Sequence, residues 1–114
     1  MAQLPGHFVK FTEAHPKVAA AYRQLSDAVA DDGPLDAKCC ALIKLGMSLA
    51  AGMEGAAHSQ TRKALEAGAT PEEIRHAVVQ ATTTLGFPRM MTGLAWVEDV
   101  LGGEMPRAKV DLEQ

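Results

Sequence analysis

Glu54 and His58 stand four residues apart in the stretch Glu-Gly-Ala-Ala-His. One helical turn separates them, so a helix here projects both side chains from one face. Imidazole exchanges a proton near neutral pH, and a carboxylate one turn away can hold it in orientation. The pair has two readings. It is either a solvated surface pair worth roughly a few tenths of a kcal/mol or an acid–base site. The residues around it, Ala50, Ala51, Gly52, Gly55, Ala56 and Ala57, are the smallest available and leave room for a flat ligand against the backbone.

Cys39 and Cys40 are the other chemistry-bearing feature. Neighbours on a helix point about 100° apart and do not bridge each other without strain. A zinc site wants four ligands at characteristic spacings, which are absent here. The two are expected to be small, partly buried apolar residues. No metal and no structural disulfide is expected.

A chain of 114 residues is expected to form one domain, 1–114. Abundant Ala and only 4% aromatics favour close-packed helices over sheets. The net charge of −3 comes without a Lys/Arg block, so nucleic acid is not an expected partner. No apolar run is long enough to span a membrane, and MAQLPGHFVK lacks the apolar core of a signal peptide. A soluble, cytoplasmic protein is expected.

Local signals divide the chain into helices. A brief helix is predicted over about 4–14. Pro16 opens the next, whose face is Val18, Ala21, Tyr22, Leu25 and Val29, with Gly33 as its C-cap. Asp36 caps a third helix carrying Leu42, Ile43, Leu45, Gly46, Leu49 and Ala50. That helix is apolar on nearly all sides, which predicts burial in a bundle or at a subunit contact. After a break near Gly52, a helix from Met53 or Glu54 to Ala67 ends at Gly68. Thr70-Pro71-Glu72-Glu73 is a capping box that starts a helix reaching Leu85. Gly86-Phe87-Pro88 interrupts, and a last helix turns Met90, Met91, Leu94, Val97 and Leu101 inward. The tail 104–114 is polar and expected to be frayed or extended.

The stretch from Leu35 to Leu101 resembles the carboxymuconolactone decarboxylase family, grouped with the alkyl hydroperoxidase D-like proteins. Its most specific part is His58, then Ala64-Leu65, then Gly68-Ala69-Thr70 and Glu72-Glu73-Ile74, followed by Leu85-Gly86-Phe87-Pro88. The resemblance implies an all-α bundle of five to six helices with a central antiparallel pair. It also implies a homotrimer or homohexamer.

The peroxidase branch of that family carries C-x-x-C-x-x-x-H and an upstream Glu. With His58 in the histidine place, its two thiol positions fall on Ala51 and Glu54, and Ala41 stands for the upstream Glu. The decarboxylase branch resembles E-x-x-x-H without cysteines, which Glu54 and His58 supply. Its usual Arg–Ser pair is replaced by Cys40 and Ala41. The resemblance thus implies a cofactor-free decarboxylase acting on a small unsaturated lactone acid. His58 would donate and accept the proton, with Glu54 beside it as the second catalytic residue. Arg89 would anchor the substrate carboxylate, and Met47, Met53, Phe87 and Trp96 would form an apolar wall. The alternatives are redox chemistry at Cys39 and Cys40, or a non-catalytic oligomeric domain that binds a small molecule.

Overall fold

The computed structural model describes residues 6–102. It contains six α-helices and, among the described residues, no strand. They are α1 (Gly6–Ala14), α2 (Pro16–Ala30), α3 (Ala37–Ala51), α4 (Glu54–Glu66), α5 (Pro71–Val79) and α6 (Phe87–Leu101), with a 3₁₀ turn at Gln80–Thr83 before α6. Leu4 and the tail 104–114 lie outside the described residues.

The helix boundaries follow from side chains that satisfy terminal backbone groups. The Asp36 carboxylate accepts from the Cys39 N–H at 2.8 Å, capping α3. Thr70 Oγ1 accepts from the Glu73 N–H at 3.0 Å, and Glu73 Oε1 accepts from the Thr70 N–H at 3.0 Å. Glu73 also meets Lys38 of α3 at 3.2 Å. The Thr70 N–H and then Lys38 hold the Glu73 carboxyl below its ordinary range. Gly52 takes φ 69° between α3 and α4, a left-handed conformation that lets the two helices reverse with almost no loop.

The core lies between α3, α4, α5 and α6. Leu45, Leu49, Ile74, Val78 and Val97 are fully buried. Ala41, Ala57, Ala64, Ala69 and Ala81 fill the space between them and let the backbones approach closely. Gly93 of α6 packs directly under side chains of α3 and α5. A Cβ there would lie 2.9 Å from both Leu49 methyls and 3.1 Å from Val78.

Several sequence expectations need correction. The helix predicted to reach Leu85 stops as an α-helix at Val79. The Ala81 carbonyl accepts from Thr84, Leu85 and Gly86, so the chain winds tighter through three β-branched threonines. Helix α2 ends at Ala30 with Asp31 as its cap, and Gly33 has no left-handed φ. Met91 is exposed rather than inward-facing. In α3 only Ala41, Leu45, Ser48 and Leu49 are buried, while Ile43, Gly46, Met47 and Ala50 face outward. Its apolar surface exceeds what one chain covers.

Gly93→Ala is expected to lower stability by about 1–3 kcal/mol, because the added methyl forces the buried Leu49 and Val78 side chains to shift inside the core. Urea unfolding followed by circular dichroism measures this.

Candidate functional site

Helix α4 begins at Glu54, directly after the Gly52 reversal, so Glu54 and His58 occupy its first two turns. They share a face as their spacing predicts. His58 Nε2 lies 3.8 Å from Glu54 Oε2. A closer partner comes from α6. Asp99 Oδ2 sits 3.0 Å from the same His58 nitrogen. A carboxylate only accepts, so Nε2 carries the proton and donates it to Asp99. Among the described residues, Nδ1 has no hydrogen-bond partner. Among the described residues the imidazole is therefore held at one nitrogen and open at the other. The His58 side chain is 25% exposed, and those of Glu54 and Asp99 are more than half exposed.

Asp99 owes its place to its neighbour. Glu98 is 10% exposed and accepts from Arg75 Nε at 2.6 Å and Nη2 at 3.1 Å. This forked contact fixes the last turn of α6 against α5. It also raises the Arg75 pKa, chiefly through the hydrogen bond to Glu98. With Glu98 turned toward α5, Asp99 is turned toward α4.

Asp99 was not found in the sequence, since 41 positions separate it from His58. One signal was available. Two acids in the last turn of a helix oppose its macrodipole, so Glu98 and Asp99 needed a reason to be there.

Arg89 is brought to the α3–α4 reversal. Its Nη1 lies 3.2 Å from where a Gly52 Cβ would stand, so the guanidinium rests on the turn just before Glu54. Met53, at that turn, and Phe87 are exposed, and Trp96 packs partly against the core. Met47 is elsewhere. It lines an apolar groove of about 340 Å³ with Gly46, Ala50, Ala77 and Leu85, among others, and no member of the Glu54–His58–Asp99 group lines it.

The three donor atoms lie within 4.8 Å of one another. One imidazole nitrogen and two carboxylate oxygens are donor types that a divalent cation accepts, so these are the residues that could hold one.

Cys39 is exposed, Cys40 is half-buried, and both are free thiols. Cys39 is thus less buried than expected. Cys40 Sγ–H donates to the Leu35 carbonyl at 3.7 Å. The Asp36 side chain beside Cys39 raises the pKa of its thiol, through their hydrogen bond first and its charge second. An activated thiol needs the opposite shift.

A model of the carboxymuconolactone decarboxylase family matches residues 16–99. The chain belongs to the carboxymuconolactone decarboxylase family. A crystal structure of apo-lpg0406, a carboxymuconolactone decarboxylase family protein from Legionella pneumophila, superposes with a TM-score of 0.72. The match covers 84% of this chain and 86% of that one at 24% identity, which shows a common fold. No curated protein matches the chain. The helical bundle expected of a carboxymuconolactone decarboxylase family member is thus the fold observed.

A raised thiol pKa leaves less thiolate at neutral pH. Cys39 is expected to react with a disulfide reagent more slowly at pH 7 than free cysteine, and Asp36→Asn to speed it. Absorbance of the released thiolate gives both rates.

Proposed function

We propose that this protein is a cofactor-free acid–base enzyme of the decarboxylase type, acting on a small unsaturated lactone acid. The observation that carries this reading is the His58 imidazole, tied to Asp99 at Nε2 and, among the described residues, without a partner at Nδ1. Loss of CO₂ from such an acid breaks the bond to the carboxyl carbon. The electron pair is taken up by the conjugated system, and a proton must then reach a distant carbon. An imidazole held at one nitrogen delivers that proton from the other. Asp99 stabilises the charged ring and fixes its orientation, the part that Glu54 was expected to play. Glu54, at 3.8 Å, adds a second negative charge beside the ring. Arg89, resting on the Gly52 turn, supplies a planar cation for a second carboxylate or a lactone carbonyl. The exposed Met53 supplies apolar surface at that turn.

Redox chemistry at Cys39 and Cys40 is the weaker alternative. It asks for a lowered thiol pKa and a resolving partner, and Cys39 has a carboxylate beside it instead. A binding domain without catalysis is favoured by one observation. The residues lining the grooves between α1, α2, α3 and α4 and between α3 and α5 do not include His58.

Turnover separates these readings. With 4-carboxymuconolactone as probe and ultraviolet absorbance as readout, wild type is expected to decarboxylate. His58→Ala is expected to lose about a hundredfold or more in kcat, the size typical of a lost general acid. No turnover by folded wild type would remove this lactone, and unchanged turnover in His58→Ala would remove His58 from the chemistry.

A further inference from the structure

Helix α2 turns its small residues inward. Ala19 and Ser26, two turns apart on one face, are its only half-buried residues, and neither α1 nor α2 buries any residue. Side chains this small do not fill the space between α2 and its neighbours. A cavity of about 180 Å³ remains there, with Ala19 and Ser26 in its lining. Phe8 and Phe11, one turn apart on α1, line it with Tyr22 of α2. Arg23 of α2 and Lys63, in the last turn of α4, complete it.

The charges in this lining are all positive. Among the described residues, neither Arg23 nor Lys63 forms an ion pair. The acids nearby in sequence, Asp27 and Glu66, line the neighbouring cavity between α2, α3 and α4 instead. The two cavities share only Ser26 and Lys63. No member of the Glu54–His58–Asp99 group lines either one.

Three aromatic rings and two cations around one space ask for a ligand with two ends. A carboxylate takes both bonds of a guanidinium fork, and an ammonium adds a second positive charge beside it. The rings favour a flat apolar body, which stacks on them or meets them edge-on. Volume limits that body to one ring, since an apolar cavity of about 150 Å³ takes up benzene. We infer that this cavity is a binding site for a small aromatic carboxylate, its ring among Phe8, Phe11 and Tyr22 and its carboxylate at Arg23 and Lys63. A ligand held there touches α1, α2 and α4 at once. It gives the first two helices an apolar contact that their own residues leave open. The inference does not rest on the chemistry at His58.

Titration calorimetry of the full chain with benzoate tests it. Benzamide, the same ring without the charge, is the control. Benzoate is expected to bind at least about tenfold more tightly than benzamide, the scale of hydrogen bonds to a charged group. The double variant Arg23→Gln, Lys63→Gln is expected to lose that advantage. It should keep its helical circular dichroism, since both residues are exposed. His58→Ala should bind benzoate as wild type does. Absence of benzoate binding would overturn the proposal. So would equal affinity for benzamide, or full affinity in the double variant. Loss of binding in His58→Ala would also overturn it, because the benzoate would then sit at His58.

Discussion

The packing of Gly93 of α6 against the Leu49 and Val78 side chains of α3 and α5 constrains the rest of the core. Gly93 brings no side chain of its own, and the Leu49 and Val78 side chains fill the space that a Cβ would take. Close contact of this kind needs small residues on all sides, and the buried alanines of α3, α4 and the α5 region supply them. Once α6 is seated, its last turn is fixed against α5 by Arg75 and Glu98. Asp99 then points at α4 and meets His58. The acid–base group is thus a result of helix packing, built from two elements that share no local sequence signal.

This explains which parts were legible in the sequence. The capped starts of α3 and α5 were readable because Asp36, Thr70 and Glu73 act within a few residues of themselves. Gly52 and Gly68 were readable for the same reason, as their positive φ is a local property. The i, i+4 geometry of Glu54 and His58 followed from helical pitch alone. Asp99 did not, since its role depends on a contact between α4 and α6. The placement of the expected apolar-wall residues is a tertiary matter. Exposure of Met47, Met53 and Phe87 is decided by tertiary placement, and residue type does not encode it. The end of α5 was misjudged because apolar periodicity continues through Ala81 and Leu85 while the backbone tightens.

The chain also divides its apolar residues between two uses. One set, around Leu45, Leu49, Ile74, Val78 and Val97, closes the core. The other, on α2 and the outer face of α3, is left open. Periodicity alone cannot separate them, because an open helical face has the same spacing as one facing the core. The membership of the carboxymuconolactone decarboxylase family fixes the scaffold, and the chemistry must be argued from the residues this chain places on it.

The central claim is that His58 and Asp99 act as one unit in proton transfer. A double-mutant cycle on kcat/KM for the lactone, using His58→Gln, Asp99→Asn and both together, tests it most directly. If the two act as a unit, the double variant is no slower than His58→Gln alone, since Asp99 works only through the imidazole. If the two losses multiply, Asp99 acts independently of His58 and the account is wrong.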